Sequence, residues 1–412
     1  MNGNSYLVVG AGLSGATLAR LASAQEPDSE IAVIDRADRI GGACCDHIED
    51  GIDVHDHGSH IMHTDKAEVW HFLSHFTKWY PYMHRVKAVV GGTEVPLPYN
   101  LDSIRANFPP SLASTMEKKL LAKYGFGAKV PISELMKAED PDLKMLAQYV
   151  YENVFVHYTS KQWGKKPEEL DSAVTARVPV CVSRDPRYFH DRYQGIPDGS
   201  LDAGDGNILG GYSTMIHNML DAPNITVRLE TPFEKGMEND YDKVFFTGAA
   251  DELLNGRFGA LPYRSERFET ETILREHFQD NAVVNYPNNY DFTRIHEFKY
   301  YNPGMKTQAT IISTEYPEPY VPGENVPYYP LPSEENAALH RKYIDEAAKE
   351  YPNIVFFGRL GDYKYYDMDD AVARAMDVFR KEFNTDALPE IEDHKDGGEG
   401  GRKTPSVMYL GY

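Results

Sequence analysis

The chain has 412 residues, of which 42% are hydrophobic and 25% are charged, as in ordinary soluble globular proteins. This length predicts two or three domains with sizeable cores. A formal net charge of -21 argues against nucleic acids and anionic membrane surfaces as partners. We expect no membrane span and no signal peptide, because no apolar run is long enough and residues 1–5 lack the pattern. With only three cysteines, a disulfide framework is excluded and a cytoplasmic protein is expected.

The first informative stretch, residues 6–16, predicts a strand, a glycine turn and a helix. Gly10 permits the tight turn, Gly12 lets backbone amides approach a pyrophosphate, and Gly15 lets the helix lie close to the strand. Asp35 ends a second predicted strand, where a carboxylate receives ribose hydroxyls. We interpret the stretch as a dinucleotide-binding fold; the alternative is a glycine-rich turn that binds nothing.

A second glycine pair, Gly41-Gly42, follows this strand at once. It resembles the FAD proteins of the glutathione-reductase type and favours FAD, with NAD as the alternative. Four histidines lie between His55 and His63, but they lack the helical spacing of a zinc site. We therefore predict a loop along the flavin. A metal site at Cys44, Cys45 and His47 is a weaker alternative, and we predict no metal.

In the middle of the chain, the predicted structure changes from a mixture of helix and strands to mainly helices. A short helix is predicted over 69–76, a hairpin over 85–90 and 94–98, and helices over 101–108, 111–124, 132–137 and 142–155. Tyr158 and Trp163, in a polar setting with Lys161 and Gln162, predict stacking on a base and a sugar. The alternative is an aromatic helix end packed inward. Residues 198–211 are rich in glycine and aspartate and predict a mobile loop or insertion.

The last part returns to strands. Helix 212–220 and strands 225–229 and 243–248 are predicted to rejoin the nucleotide-binding fold. A period of two predicts antiparallel strands at 267–274, 282–286, 292–299 and 307–315. A strand at 353–359, ending in Gly358-Arg359, precedes a helix at 369–383, and residues after about 386 form a loosely ordered tail.

The predicted fold class is α/β: an FAD-binding, Rossmann-like domain with a helical insertion and an antiparallel β-sheet domain. The partition is 1–85 for the first FAD-binding segment, 100–170 for the helical substrate-binding insertion, 86–99, 171–205 and 261–318 for the sheet domain with its mobile loop, 206–260 and 319–386 for the returning FAD-binding segments, and 387–412 for the tail.

Taken together, these segments resemble the UDP-galactopyranose mutase family, flavoenzymes that interconvert the six- and five-membered ring forms of UDP-galactose. The matching motifs, which cover nearly the whole chain to about residue 385, are residues 58–64, 158–164, 187–189, 285–287, 292–297, 315–317 and 358–369. The Lys-Gln-Trp and Tyr-Tyr-Asp-Met segments are the most specific of these.

The resemblance implies a role for each matching residue. Tyr158 stacks on the base, Trp163 lines the site and Arg294 clamps the diphosphate, while Tyr188, Tyr316 and Tyr365 donate hydroxyls to it. The implied catalytic residues are Arg294, Arg177 and His63. The implied substrate-binding residues are His84, Phe155, Tyr158, Thr159, Trp163, Arg184, Tyr188, Asn285, Tyr316 and Tyr365. The implied cofactor-binding residues are Gly10, Gly12, Ser14, Gly15, Asp35, Arg36, Gly42, Ala43, His60, Ile61, Arg359, Asp367 and Met368.

The chain departs from the family pattern at one position that matters. The family's mobile loop closes on an arginine, whereas here the segment from Arg177 ends in Cys181. Arg184 or Arg187 is the candidate replacement. Ala43 and His84 each stand where the family commonly has asparagine, and Tyr300 stands where it has histidine. These departures leave the exact sugar nucleotide open.

The resemblance implies that reduced FAD acts as a nucleophile on the anomeric carbon, with UDP as leaving group, in a cytoplasmic homodimer that serves cell-surface polysaccharide biosynthesis. Three alternatives remain. The substrate is UDP-N-acetylgalactosamine or a deoxy sugar nucleotide, the protein is an FAD-dependent oxidoreductase, or it is a catalytically idle sugar-nucleotide binder.

Overall fold

The computed structural model describes residues 3–165, 179–202, 208–301 and 307–394. Arg177, residues 203–207 of the predicted insertion and residues 395–412 of the predicted tail lie outside these ranges. The strands are Ser5–Val9 (β1), Glu30–Ile34 (β2), Asp46–Glu49 (β3), Ile52–His55 (β4), Met62–Thr64 (β5), Lys78–Tyr80 (β6), Val86–Val90 (β7), Thr93–Leu97 (β8), Lys129–Pro131 (β9), Pro179–Cys181 (β10), Tyr193–Asp198 (β11), Leu201–Asp202 (β12), Ile208–Leu209 (β13), Ile225–Arg228 (β14), Lys243–Phe246 (β15), Tyr263–Ile273 (β16), Val283–Asn285 (β17), Arg294–Glu297 (β18), Thr310–Pro319 (β19), Tyr329–Pro330 (β20) and Ile354–Phe356 (β21).

Helices connect these strands. The α-helices are Leu13–Gln25 (α1), Ala67–Ser74 (α2), Leu101–Asn107 (α3), Pro110–Tyr124 (α4), Ile132–Leu135 (α5), Pro141–Val150 (α6), Val156–Trp163 (α7), Gly211–Leu220 (α8), Ala250–Leu253 (α9), Glu334–Glu350 (α10), Gly358–Gly361 (α11) and Met368–Glu382 (α12). Within the described ranges, no helix is long and apolar enough to cross a bilayer.

A parallel sheet of five strands, in the order β14-β2-β1-β15-β21, carries the nucleotide-binding turn. Side chains alternate between its faces, so Val8 and Phe245 enter one core and Leu7 and Val244 enter another. Helices α1, α8 and α12 cover the first face, and α10 covers the second. This is the doubly covered parallel sheet expected of a Rossmann-like domain.

A second sheet of seven strands has the order β20-β16-β19-β18-β17-β7-β8. All its pairs are antiparallel except β17 with β7. The hairpin predicted at 85–98 forms its edge as β7 and β8. Residues of this hairpin share a core with Met116 of α4 and Leu146 of α6, so the helical segment packs on this end of the sheet.

Helices α6 and α7 are joined by a π-helical turn, Tyr151–Phe155, with no break in the chain direction. The wider turn rotates the faces of the following helix, which carries Tyr158 and Trp163. The helix ends at Gly164, whose φ of 63° is left-handed.

The structure differs from the sequence predictions at several boundaries. The strand predicted at 353–359 ends at Phe356, and Gly358-Arg359 begins helix α11 instead. Residues 193–198 pair with β5 and β6, not with the seven-stranded sheet. In the predicted tail, Leu388 and Ile391 pack against the main core, so this described part is held by apolar burial.

Helix α8 begins against two buried carboxylates from a neighbouring hairpin. Asp46 accepts hydrogen bonds from the backbone N–H groups of Tyr212 and Ser213, both at 2.7 Å, and Asp53 accepts from Gly211 N at 2.9 Å. These acceptors satisfy amides that a helix start leaves unpaired. Burial raises the pKa of Asp46 to about 6 against the opposing effect of these bonds.

We expect Asp46→Ala to lower the free energy of unfolding by about 2–4 kcal/mol, because it leaves two buried amides without an acceptor. Urea unfolding of the holoprotein measures this loss. Asp345→Ala, at an exposed position of helix α10, is the matched control and should change stability by less than about 0.5 kcal/mol. Equal effects of the two substitutions would contradict the capping role.

Candidate active site

A cleft of about 1240 Å³ opens at the carboxyl ends of the parallel strands, around the glycine turn. Helix α1 begins after Gly12, and no side chain caps its first amides. Helix α12 begins after Asp367, again without a side-chain cap. Both helix starts border the cleft, so unpaired N–H groups and two positive dipole ends face the space where a pyrophosphate binds.

The turn requires glycine because neighbouring atoms leave no room for a side chain. A Cβ on Gly15 would lie 1.9 Å from the carbonyl oxygen of Gly10, and one on Gly10, with φ of 109°, would lie 2.0 Å from Thr247 Oγ1. A Cβ on Gly42 would lie 3.2 Å from the Cα of Gly12, so these two backbone segments also approach closely. The cradle is therefore shaped by backbone, and its residues fit a dinucleotide.

Asp35 lies at the edge of this cradle. Its carboxylate accepts hydrogen bonds from Ala11 N at 2.8 Å and Ala37 N at 2.9 Å. The carboxylate of Asp35 thus fixes the glycine turn while keeping lone pairs for a ribose. Arg36 is turned to the rim, where it pairs with Glu252 at 3.2 Å.

Most of the predicted cofactor residues line the cleft. They are Gly10, Gly12, Ser14, Gly15, Asp35, Arg36, Gly42, Ala43, Arg359, Asp367 and Met368. The predicted residues His60 and Ile61 lie outside the lining. His60 is held at Gly58 O, 2.8 Å from its Nδ1, and its backbone N–H donates to His55 Nδ1.

A row of side chains crosses the seven-stranded sheet beside this cleft. Asn285, Arg294 and Glu315 are direct partners on β17, β18 and β19, so they project from one face. Arg294 Nε donates to Glu315 Oε2 at 2.6 Å. Asn285 Oδ1 is buried and has no hydrogen-bond partner among the described residues.

Glu315 is only 1% exposed and collects three donors. Besides Arg294, these are the Thr293 hydroxyl at 2.9 Å and the His296 imidazole at 3.1 Å. Burial opposes ionisation, yet Arg294 and His296 hold the pKa of Glu315 well below its usual range. The pair is therefore ionic, and the terminal nitrogens of Arg294 are bonded to no other described residue.

Helix α7 faces this row. Burial raises the pKa of the Tyr158 hydroxyl, while the charge of Arg294 lowers it and that of Glu315 raises it further. Thr159 is buried on the same helix. Phe155, at its start, is buried against Tyr151 with 5.6 Å between ring centroids.

Lys161 holds the loop that leads into β18. Its ammonium donates to the carbonyls of Tyr286 at 2.6 Å, Phe292 at 2.8 Å and Tyr290 at 3.2 Å. Burial lowers the pKa of Lys161 to about 8. The residue fixes the approach to Arg294, a role that its polar neighbours in the sequence did not reveal.

An aromatic group joins the two regions. Tyr329 stacks on Tyr365 at 5.5 Å and lies 6.2 Å from Trp163. The Arg359 guanidinium lies 5.7 Å from the Tyr329 ring and 5.5 Å from the Tyr365 ring. Sequence reasoning missed Tyr329; the Tyr-Tyr-Pro run before β20 was the available signal.

His63 and His84 flank Phe189. His63 stacks on the Phe189 ring with centroids 3.7 Å apart, and His84 stacks on it at 5.9 Å. Tyr188 lies 5.8 Å from His84. Burial lowers the pKa of His84 to about 3 and also lowers that of His63, so both are neutral donors and acceptors at pH 7.

Two predicted substrate residues lie elsewhere. Tyr316 follows Glu315 on β19 and so lies on the opposite face, where its ring packs 4.2 Å from the Arg267 guanidinium. Arg184 pairs with Asp102 and with Glu117 on the helical segment, the latter at 2.6 Å. These placements do not bring either residue to Arg294, and Arg177 lies outside the described residues.

The structure also bears on the alternative metal site at Cys44, Cys45 and His47. Cys44 and Cys45 are buried free thiols. Among the described residues, ligand atoms converge instead at Asp46, Asp53 and His55 and at Asp367, Asp369 and Asp370. Asp46 and Asp53 of the first group cap helix α8, and Asp369 accepts from Thr64 and Lys66.

Comparison with known proteins identifies the family. A model described as UDP-galactopyranose mutase matches residues 153–365, which is more than half of the chain. The chain belongs to the UDP-galactopyranose mutase family. A model of an NAD(P)-binding Rossmann-like domain matches residues 8–76, in agreement with the glycine cradle.

Relatives of this mutase family cover nearly the whole chain. A probable UDP-galactopyranose mutase of Klebsiella pneumoniae is 35% identical over 91% of this chain and 94% of its own. A dTDP-fucopyranose mutase of Escherichia coli is 34% identical over 91% and 97%. A crystal structure of reduced UDP-galactopyranose mutase has a TM-score of 0.66 at 14% identity, covering 92% of this chain and 96% of that one. Fold and family together indicate a flavin cofactor in the cleft.

The neutral buried histidines predict acid sensitivity. Burial lowers the pKa of His84 to about 3, so between about pH 3 and pH 6.5 the unfolded state binds the extra proton. The contribution of neutral His84 to the free energy of unfolding is therefore fully present above about pH 6.5. It falls by about 1.4 kcal/mol per pH unit as the pH drops from there towards pH 3. His84→Asn should reduce this slope by that amount in urea unfolding at several pH values. His71→Asn, on an exposed surface, should leave the slope unchanged; a wild-type slope in His84→Asn would sink the assignment.

Proposed function

We propose that this protein is a flavin-dependent isomerase that interconverts UDP-galactopyranose and UDP-galactofuranose. The observation that carries the proposal is the pair of Arg294 with the buried Glu315 at 2.6 Å, in which the terminal guanidinium nitrogens are bonded to no other described residue. A guanidinium with two available nitrogens matches a diphosphate and stabilises it as a leaving group.

The chain's own residues bind and orient the reactants. Gly10, Gly12 and the starts of helices α1 and α12 hold the cofactor's pyrophosphate, and Asp35 holds its ribose. Tyr158 stacks on the base, Trp163 lines the sugar site, and Tyr188, Tyr329 and Tyr365 provide hydroxyls. His63 and His84, together with Phe155, Thr159 and Asn285, complete the binding surface.

The chemistry supplied by bound, reduced flavin is nucleophilic displacement at the anomeric carbon, without net electron transfer. Arg294 donates its terminal N–H groups to the departing nucleotide, and the neutral imidazoles of His63 and His84 accept or donate hydrogen bonds without adding charge. The aromatic group around Tyr329 excludes water from the reacting sugar.

A second substrate class has a specific observation in its favour. The dTDP-fucopyranose mutase relative is nearly as similar as the UDP-galactopyranose mutase relative, at 34% and 35% identity. We therefore propose a test of both nucleotides and of deoxy sugars. We further propose a cytoplasmic homodimer, for which three free cysteines and the family resemblance are the support.

The decisive experiment separates a mutase from a net oxidoreductase. Under anaerobic conditions, we expect conversion of UDP-galactopyranose to the furanose form only after reduction with dithionite. Each reduced flavin should support many turnovers and remain reduced by its absorbance at the end. Reoxidation of one flavin for each product formed would instead indicate an oxidoreductase.

Arg294→Ala should lower kcat on the order of 10²–10³-fold, because the leaving diphosphate loses its charged donor. Steady-state kinetics of the reduced holoenzyme measure this. Arg267→Ala is the matched control, since Arg267 lies on β16 of the same sheet, two strands from Arg294, and pairs with Glu318 at the surface. Flavin absorbance and thermal unfolding check that the loss of the pair leaves the fold intact. Near-normal turnover of a folded Arg294→Ala variant would refute the clamp.

A further inference from the structure

A second buried acid, Glu266, lies near Glu315 in the candidate site. Glu266 lies on β16, two residues before Phe268, which is the direct partner of Glu315. Residues two apart on a strand project to the same face, so Glu266 and Glu315 share one side of the sheet. Glu266 is 7% exposed.

The contacts of Glu266 are neutral. Gln162 Nε2 donates to its Oε1 at 2.6 Å, and the Tyr329 hydroxyl donates to its Oε2 at 3.2 Å. Within the described residues, no cation contacts this carboxyl. Arg264, on the same strand, donates instead to the carbonyls of Lys161 and Gln162, both at 3.1 Å.

One atom next to Glu266 lacks a partner. Gln162 Oε1 is buried and has no hydrogen bond among the described residues. A buried acceptor without a donor is costly, and an ionised carboxyl has no proton to offer it. A protonated Glu266 has a proton to donate, and it can still accept from Gln162 and Tyr329.

The charged and titratable groups around Glu266 come from four directions. They are Glu315 and Arg294 on the neighbouring strands, Tyr158 on helix α7, Tyr328 and Tyr329 at β20, and Arg264 on its own strand. Burial and Glu315 raise the pKa of Glu266 to about 8, against the lowering effect of Arg294. Arg294 already neutralises Glu315, so Glu266 is the acid left without a counter-ion.

We propose that Glu266 controls the affinity of the mutase site for its substrate, because its carboxyl is held neutral between Gln162 and Tyr329 so that a dianionic diphosphate can bind beside Arg294. This inference rests on the proposed function. An ionised Glu266 places a second negative charge near a single guanidinium and opposes the entry of the sugar nucleotide. Substrate binding and the protonation of Glu266 are therefore coupled.

The test measures binding without turnover, by titration calorimetry of UDP-galactose into the oxidised holoenzyme between about pH 6 and pH 9. The diphosphate of this ligand keeps its charge throughout this range. We expect the wild-type Kd to rise above about pH 8, approaching tenfold per pH unit. In buffers of different ionisation enthalpy, the wild-type enzyme should take up about half a proton on binding near pH 8 and nearly one proton at pH 9.

Glu266→Gln keeps the size and hydrogen bonding of a neutral carboxyl, so its Kd should be nearly constant over this range and its binding should take up no proton. Glu271→Gln, at an exposed position of the same strand, is the control and should behave as the wild type. Flavin absorbance verifies that each variant is folded, and the wild-type proton uptake tests the inference even if Glu266→Gln fails to fold.

Two results would overturn the inference: wild-type binding without proton uptake, or a Glu266→Gln variant that keeps the wild-type pH dependence. Either leaves the proposed function standing, because the sugar nucleotide still binds. A wild-type holoenzyme that binds no sugar nucleotide at any pH would instead refute the proposed function.

Discussion

The buried ion pair between Arg294 and Glu315 is the constraint on which the site depends. A carboxylate that is 1% exposed is tolerated only because a guanidinium, an imidazole and a hydroxyl surround it. The pairing of β17, β18 and β19 brings these groups together. Any shift of strand register would separate the charges and turn each side chain to the other face. The position of the guanidinium is therefore fixed by the sheet.

The cofactor cleft and the sheet are linked by side chains that belong to both. His57 lines the cleft and bonds to the Tyr328 hydroxyl at 2.6 Å. Arg359 also lines the cleft and lies against Tyr329 and Tyr365. A hydrogen-bonded path runs from Tyr301 through Ser59 to His296 and so to Glu315. The lining of the cleft and the row that contains Arg294 and Glu315 are thus joined through neighbouring side chains.

The sequence predicted features that depend on residues close together in the chain. It missed features that depend on the register in which strands pair. The glycine turn and Asp35 follow from spacing within a few residues, and the parallel sheet follows from them; the helix that carries Tyr158 lies beyond the helix predicted over 142–155. The choice between Tyr316 and Tyr329 does not, because it requires knowing which face of β19 meets the site. Arg184 was assigned by its distance along the chain from Cys181, whereas its partners Asp102 and Glu117 come from helices α3 and α4. Glu266 carried no signal, since an acid next to Arg267 is typical of a solvated strand.

The electrostatics of the site explain how an acidic protein can hold a dianionic substrate. The charge of Arg294 is largely balanced by Glu315, and burial lowers the pKa of His84 and His296 so that they add none at pH 7. The remaining attraction comes from the terminal nitrogens of Arg294 and from neutral donors such as the tyrosine hydroxyls. Hydrogen bonds of this kind are directional and discriminate by shape more than by charge. A site built in this way separates related sugar nucleotides by the fit of base and sugar, because all of them carry the same diphosphate.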